Sequence, residues 1–291
     1  MTDAGGRRPG RTLLVGCGAL ATALGERLVA DGNEVTAIRR DAAGLPSTFA
    51  AMEADLRHPL PTALAQGLPS FESVVITLPP GTGPGTGPEG SIYPAALAHV
   101  AASLPARPER VLFVSSTRVF EGYASETFGG ADGRAPLTER DEPRLTGERG
   151  EALVDGERRA VDLLGAVVVR PAGIYGPGRD SLIRRVREGA AVDHERRTNR
   201  IHEHDLVRLL EALLRADAPP ALVHAVDHEP VRLGDVVAHL AERLGVAVPP
   251  HTTPEVGGGT VLDGARAHTL LGDLVYPTFR EGYDAMLASA S

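Results

Sequence analysis

Two glycines separated by one residue, Gly16 and Gly18, follow the short apolar segment 12–15 and open the segment 19–30, whose apolar residues recur at helical spacing. The first glycine permits a tight turn out of a strand, and the second lets a phosphate approach the backbone. A helix N-terminus directly beyond them offers unpaired N–H groups to that phosphate. The alternative is an ordinary strand-to-helix turn that binds nothing. The pattern favours a dinucleotide site whose turn residues are Gly16, Gly18, Ala19 and Leu20.

The residues after the second predicted strand, 34–38, indicate which dinucleotide is bound. A site specific for NAD places Asp or Glu there to accept hydrogen bonds from the ribose 2′-hydroxyl. This sequence instead has Arg39 and Arg40, two cations suited to a 2′-phosphate. NADP is therefore predicted as the cofactor and NAD is less favoured, the alternative being that both arginines are solvated turn residues. Asp55, after a further predicted strand at 50–53, is placed to contact the adenine amino group.

The elements that must position these residues alternate along the chain. Apolar strand-like runs and helical segments follow one another as far as residue 170, which is typical of a parallel sheet covered on both faces. Beyond residue 178 the predicted elements are shorter. We predict an α/β fold with a Rossmann-type doubly wound parallel sheet in residues 1–178 and a small C-terminal α/β substrate lobe in residues 179–291. Some elements of that lobe are expected to return to the main sheet.

Composition excludes several classes of function. The formal charge of −8 argues against a nucleic-acid partner, and no apolar run reaches the roughly 18 residues of a membrane span. Residues 1–11 do not resemble a secretory signal, so a cytoplasmic location is predicted. Cys17 is the single cysteine, and His202 and His204 would point to different sides of a helix or strand, so no metal site is predicted. All 30 basic residues are arginines, which leaves no lysine for catalysis.

Six segments resemble, in order, the extended and atypical short-chain dehydrogenase/reductase superfamily, and in particular its NAD-dependent epimerase/dehydratase-like branch. They are VGCGALATALGERLVADGNEVTAIRR at 15–40, ADL at 54–56, VLFVSSTRVFEG at 111–122, VVVRPAGIYGPGR at 167–179, NRIHEHDLVRLL at 199–210 and YPTFREGY at 276–283. The likeness covers almost the whole chain. It implies a nicotinamide cofactor and an oxidoreductase or epimerase-like activity.

The resemblance also implies roles for individual residues. Ser116 lies where the family carries its catalytic hydroxyl, which hydrogen-bonds a substrate carbonyl or hydroxyl; the alternative is a serine that satisfies the backbone at a strand end. Arg179, Arg200 and His202 lie where relatives place substrate-binding groups, although each could equally be an ordinary surface or core-edge polar residue. Further cofactor contacts are implied at Leu56, Leu78, Pro79, Pro171, Ala172 and Gly173.

The Tyr-x-x-x-Lys pair that performs proton transfer in this superfamily is missing. If Glu157 is matched to the glutamate that follows that motif, Arg149 takes the tyrosine position and Leu153 the lysine position. Arg149 could hold an anionic substrate, but a guanidinium is a poor proton shuttle. The proton donor is therefore expected elsewhere. The candidates are Tyr123, Tyr175 and His202, of which the histidine is expected to titrate near neutrality.

Three interpretations of the function remain from the sequence. The first is an atypical NADP-dependent enzyme acting on a small polar substrate, the second a cyclase, isomerase or lyase on the same scaffold, and the third a non-catalytic NADP sensor. A homodimer is expected by analogy with related folds, with the helix at 152–164 as its contact.

Overall fold

The computed structural model describes residues 7–81, 90–129, 133–253 and 258–289. Its contacts divide the chain into two compact units that each combine several stretches of sequence. The first unit comprises Met1–Ser116, Gly147–Arg170 and Val207–Val223, and the second Thr117–Thr146, Pro171–Leu206 and His224–Ser291. The chain thus passes between the units several times, and the single boundary at residue 178 stays a prediction.

Eleven strands and nine helices are present in the described residues. The strands are β1 Thr12–Val15, β2 Val35–Arg39, β3 Ala50–Glu53, β4 Ser73–Ile76, β5 Arg110–Val114, β6 Val167–Pro171, β7 Gly173–Tyr175, β8 Arg197–Thr198, β9 Arg200–His202, β10 Leu222–Ala225 and β11 Val231–Arg232. The helices are α1 Ala19–Ala30, α2 Thr62–Gln66, α3 Tyr93–Ser103, α4 Glu148–Leu164, α5 Ser181–Arg187, α6 Glu203–Arg215, α7 Leu233–Leu244, α8 Ala265–Leu271 and α9 Phe279–Ser289. None of these helices is long and apolar enough to cross a membrane.

A seven-stranded sheet organises the fold, in the order β10-β6-β5-β4-β1-β2-β3. The pairs from β6 through to β3 run parallel, and β1 and β4 are buried along their whole length. This burial explains why both strands are uninterrupted apolar runs, since a parallel sheet is covered on both faces. The predicted doubly wound Rossmann-type sheet is confirmed, and β10 is a late strand that returns to it.

The strand order reverses between β1 and β4. From β1 the chain continues to β2 and β3 on one side, and from β4 it continues to β5 and β6 on the other. In an open α/β sheet, such a reversal leaves a crevice outside the carboxyl ends of the two central strands, where ligands bind. The glycine turn 16–18 follows β1 at that edge. The topology therefore positions the predicted dinucleotide motif at the switch point.

The second unit is built around α5, α7 and α9 and two short sheets. Strand β7 pairs with β9 in parallel, and β8 pairs with β11 in antiparallel orientation. Its core consists of apolar and aromatic side chains from these helices and from the adjoining strands. They are Tyr175, Ile183, Val186, Val192, Leu233, Val236, Val237, Leu240, Ala241, Phe279, Tyr283 and Met286.

Candidate dinucleotide site

A cavity of about 390 Å³ opens at the switch point, within the first unit. Its walls come from the glycine turn, the ends of β2 and β4 and the segment after β3. The lining residues are Gly16, Cys17, Gly18, Ile38, Arg39, Arg40, Asp41, Ala54, Asp55, Leu56, Leu78, Pro79 and Ile92. The structure thus brings together eight of the residues predicted to contact the cofactor; Ala19 and Leu20, on α1, do not line the cavity. Asp41 and Ile92 also line the cavity, but the sequence did not predict them because they belong to no recognisable motif.

Positions 16 and 18 require glycine for different reasons. Gly16 has a φ of +78°, and a Cβ atom there would lie 2.6 Å from the side chain of Leu78, so the fold itself requires glycine. Gly18 has an ordinary extended backbone, with φ −91° and ψ −169°. A Cβ atom at position 18 would meet only the Gly16 carbonyl oxygen, at 4.0 Å. The fold gives no steric reason for glycine at position 18, whereas a phosphate approaching the backbone does.

Two arginines stand at the end of β2. Arg39 is half-buried and Arg40 is exposed, and both line the cavity. Among the residues that the structure describes, neither guanidinium is held in an ion pair or hydrogen bond by a carboxylate. The neighbouring Asp41 accepts a hydrogen bond from the Ala43 amide at 3.0 Å. The cavity therefore has two cations available to an anionic group.

Asp55 lines the same cavity but is engaged by Arg57. The guanidinium donates three hydrogen bonds of 2.5–3.0 Å to the two carboxylate oxygens of Asp55. These hydrogen bonds hold the pKa of Asp55 well below its usual range. The carboxylate is thus ionised, and the predicted contact with an adenine amino group would share its oxygens with Arg57.

The strand that leads to Ser116 is fixed by a buried polar network within the first unit. The Ser115 hydroxyl donates to Oε1 of Glu157 at 2.5 Å, and Arg170 donates to the same carboxylate from Nε and Nη2. Ser116 is half-buried and lies directly beyond. The catalytic role of Ser116 stays a prediction, and the sequence did not predict this network, because nothing local links β5, α4 and β6.

The two candidate tyrosines lie in the second unit, and both hydroxyls have backbone partners. Tyr123 ends a 3-10 helix at Thr117–Tyr123 and donates to the Glu142 carbonyl at 2.9 Å, and Tyr175 donates to the Thr278 carbonyl at 3.2 Å. Burial raises the pKa of Tyr175 far above its usual value. A proton-transfer role for either phenol stays a prediction, and the geometry gives each of them a packing role.

His202 does not titrate near neutrality, so that part of the sequence interpretation is wrong. The ring is buried and lies 3.8 Å from that of Tyr276, centroid to centroid. Burial lowers the pKa of His202 to about 4. Its Nδ1 accepts a hydrogen bond from the His204 amide at 3.1 Å, which leaves the neutral ring a donor at Nε2. No group of three or more His, Cys, Asp or Glu side chains in the described ranges could hold a metal ion.

The two arginines expected to bind substrate lie in different environments of the second unit. Arg179 is partly exposed and donates to Glu203 at 2.5 Å. Arg200 is only 6% exposed, and its Nη1 has no hydrogen-bond partner among the described residues. Asp227, whose amide donates to the Arg200 carbonyl at 2.6 Å, is similarly buried. Arg200 is thus a core cation rather than a surface group.

The turn 171–173, expected to hold the nicotinamide amide, connects β6 to β7. The Ala172 amide donates to the Ala225 carbonyl at 3.0 Å, and the Gly173 amide donates to the Asn199 carbonyl at 3.2 Å. Pro171 has no N–H. Backbone pairing therefore fixes this turn, and its contact with a cofactor stays a prediction.

Comparison with solved structures identifies the fold. A putative NAD-dependent epimerase/dehydratase from Methylobacillus flagellatus is 29% identical, with a TM-score of 0.78 over 97% of this chain and 99% of that one. The chain has an epimerase/dehydratase fold. The resemblance noted in the sequence, to the short-chain dehydrogenase/reductase superfamily, is confirmed. Protein-family models gave no match to the sequence, and neither did the curated proteins.

Two structures of lower sequence identity share this fold. MoeE5, solved with UDP-glucose and NAD, is 24% identical, with a TM-score of 0.72 over 97% of this chain and all of that one. WbmG from Bordetella bronchiseptica, solved with NAD and UDP, is 18% identical, with a TM-score of 0.76 over 95% of this chain and 92% of that one. Both likenesses extend over almost the whole of this chain, so the fold is shared from end to end.

Helix α4 carries the positions that the sequence resemblance matches to the Tyr-x-x-x-Lys pair. Arg149, Leu153 and Glu157 follow one another at intervals of four residues and therefore share one face of the helix. Arg149 is exposed in the first turn, whereas Leu153 is 3% exposed and packs in the core. An apolar core residue thus stands where the resemblance expects a lysine.

Proposed function

We propose that the protein is an NADP-dependent oxidoreductase of the epimerase/dehydratase type that acts on a small polar substrate without a Tyr-x-x-x-Lys pair. The observation that carries this proposal is Gly18, a glycine that the fold does not require, at the wall of the switch-point cavity. Close approach of a pyrophosphate explains it. Structures of the same fold that contain NAD support a nicotinamide cofactor.

The preference for NADP rests on Arg39 and Arg40. A 2′-phosphate needs charge-assisted donors, and these are two cations of the cavity without a carboxylate partner in the described chain. An NAD site would carry an acidic acceptor at this position. The remaining contacts proposed for the cofactor are those of the glycine turn, Asp55, Leu56, Leu78, Pro79 and the turn 171–173.

In the proposed reaction, NADP supplies hydride transfer at its nicotinamide. The Ser116 hydroxyl would hydrogen-bond the reacting oxygen of the substrate, and Arg149, exposed on α4, would bind an anionic group. Arg179 and the neutral His202 are the proposed polar contacts of the second unit, whereas the buried Arg200 is better suited to a supporting role. Nucleotide sugars, present in the MoeE5 complex, are the first class of substrate to test.

Leu153 supports a second candidate, a non-redox reaction of the cyclase, isomerase or lyase type. The apolar Leu153 cannot lower the pKa of a phenol for proton exchange with the substrate, as a lysine at that position would. A homodimer is also proposed, because Val161 and Leu163 of α4 are apolar and about half exposed. The cytoplasmic location stays a prediction.

Titration with NADPH and NADH tests the proposed cofactor. We expect wild-type protein to bind NADPH at least about tenfold more tightly than NADH, because one charge-assisted hydrogen bond between an arginine and the 2′-phosphate accounts for such a ratio. The double variant Arg39→Ala/Arg40→Ala should lose this preference, while Arg158→Ala, on the exposed face of α4, should keep it. Equal or tighter binding of NADH by wild type would overturn the NADP proposal, and absence of binding to both would overturn the site.

Absorbance at 340 nm and the redox state of the bound cofactor together separate the two reactions. A net oxidoreductase should consume NADPH with some member of a panel of carbonyl compounds and nucleotide sugars. An epimerase that returns its hydride leaves the absorbance constant but turns over only with the oxidised cofactor bound. If absorbance stays constant and a turnover that Ser116→Ala abolishes is equal with NADP⁺ and with NADPH bound, the non-redox candidate is correct.

A further inference from the structure

One wall of the cavity is formed by Leu78 and Pro79, within the segment 77–80 that follows β4. Leu78 packs directly on the glycine turn, so closely that a Cβ atom on Gly16 would lie 2.6 Å from its side chain. Thr77 attaches the start of this wall to β1, because its amide donates to the Val15 carbonyl at 2.9 Å and its hydroxyl to the Gly16 carbonyl at 2.8 Å. The position of the wall therefore sets the width of the cavity beside Gly16 and Gly18.

The rest of the wall is fixed through its carbonyl oxygens. Residues 79 and 80 are both proline and have no N–H to donate. The start of α3 supplies donors instead: the Tyr93 hydroxyl donates to the Leu78 carbonyl at 3.0 Å, and the Ile92 amide donates to the Pro80 carbonyl at 2.9 Å. Tyr93 thus provides the only side-chain hydrogen bond to Leu78 among the described residues.

The Tyr93 ring is itself held firmly. It is 1% exposed and packs edge-on against Phe113, with centroids 5.2 Å apart. On α4, Gly156 allows the ring to approach, since a Cβ atom at that position would overlap it. Burial raises the pKa of Tyr93 far above its usual value, so the phenol remains a donor across the physiological range. A buried hydroxyl on an immobile ring fixes the Leu78 carbonyl in one place.

We infer that Tyr93 is a positioning residue for the cofactor, which holds the segment 77–80 at the distance from the glycine turn that a dinucleotide phosphate needs. The inference rests on the proposed function. Without this hydrogen bond, the segment would have to be ordered when the cofactor binds, and that cost would appear as weaker affinity. Because the same ring contacts Gly156, the position of α4, which carries Arg149, is linked to this wall.

The test compares Tyr93→Phe with wild type in binding of NADPH and of adenosine 2′-phosphate. Loss of one hydrogen bond should raise the Kd for NADPH about fivefold. The nucleotide fragment, which needs only the Arg39 and Arg40 edge, should bind almost as in wild type. A variant that had merely lost its structure would lose both ligands. Gly156→Ala, which displaces the ring without altering the hydroxyl, should weaken NADPH in the same way.

Ser103→Ala is the control for cofactor affinity. It removes a hydroxyl-to-carbonyl hydrogen bond of similar length, 2.9 Å to Val100, at the last turn of the same helix α3, where Ser103 does not line the cavity, and should leave the Kd for NADPH unchanged. If wild type binds NADPH tightly and Tyr93→Phe binds it equally well, or weakens both ligands alike, the inference is overturned while the proposed function stands. If wild type binds neither dinucleotide, both are overturned.

Discussion

Arg170 donates to both carboxylate oxygens of Glu157, from Nε at 2.9 Å and from Nη2 at 2.7 Å, and both side chains are more than nine-tenths buried. The Ser115 hydroxyl is a third donor to the same carboxylate. One buried group therefore joins α4, β5 and β6. Such a pair need not add net stability over an apolar core, but removal of one partner leaves the other charge buried without compensation.

Glu157→Gln should accordingly lower the free energy of unfolding by about 3 kcal/mol. The amide keeps the shape of the side chain but faces a buried guanidinium with no negative charge. Urea denaturation measures the change. Asp155→Asn is the control on the same helix, where the partner Arg158 is exposed and Arg159 is partly exposed, and it should cost about 1 kcal/mol or less. Equal losses in the two variants would contradict the assigned role of Glu157.

The two glycines of the turn should respond differently to alanine. Gly16→Ala forces a positive φ on a residue with a Cβ and a clash with Leu78, so it should cost about 1–3 kcal/mol of stability. Gly18→Ala should cost about 1 kcal/mol at most, as the loss of a helix N-cap residue, yet raise the Kd for NADPH at least about tenfold. Thermal unfolding and cofactor titration measure both. A Gly18→Ala variant that binds NADPH normally would refute the phosphate contact.

The contrast between these glycines shows how far the sequence could predict the site. The glycine turn, Arg39 and Arg40 are neighbours of strand ends that the apolar pattern indicates, so their convergence follows from a parallel sheet. The role of Tyr93 could not be predicted in this way. It depends on the packing of α3 against α4 and of Tyr93 against Phe113 of β5, which no local pattern in the sequence indicates.

The same distinction holds for the fold. Helix α1 matches the predicted segment 19–30, and α4 extends the predicted helix 152–164 by four residues, because each is long enough to show a complete apolar period. Strands β7, β8, β9 and β11 have only two or three residues and were not predicted; each pairs with a partner more than twenty residues away. The burial of His202 and Arg200 follows from this pairing, since the polar sequence around them suggests an exposed turn.

Alanine substitutions of Ser116 and Ser115 should separate an effect on catalysis from an effect on stability. Ser116→Ala should lower kcat/KM by about 10²-fold if its hydroxyl hydrogen-bonds the reacting oxygen of the substrate. Ser115→Ala removes a buried donor to Glu157 and should lower the free energy of unfolding by about 1–2 kcal/mol. Steady-state kinetics and urea denaturation, applied to both variants, give the comparison. Turnover unchanged in Ser116→Ala would remove this serine from the mechanism.

Asp227 should make the protein less stable as the pH rises. Burial raises the pKa of its carboxyl to about 7, and Arg200 only partly opposes this, while Glu229 and Glu281 add to the increase. Its Oδ1 accepts a hydrogen bond from the Glu229 amide at 3.2 Å, and its Oδ2 has no partner in the described residues. The folded state therefore binds the proton more tightly than the unfolded state, in which the pKa is about 4.

The protonated carboxyl makes its full contribution to the free energy of unfolding below about pH 4, and this contribution is lost as the pH rises through about 7. The free energy of unfolding therefore falls over this range by at most about 1.4 kcal/mol per pH unit. Asp227→Asn should remove that slope and be the more stable protein at pH 8. Urea denaturation at half-unit steps from pH 5 to pH 8 measures the difference. Asp141→Asn is the control, because hydrogen bonds lower the pKa of Asp141 and place its titration below this window. Parallel curves for wild type and Asp227→Asn would show that this carboxyl does not titrate there.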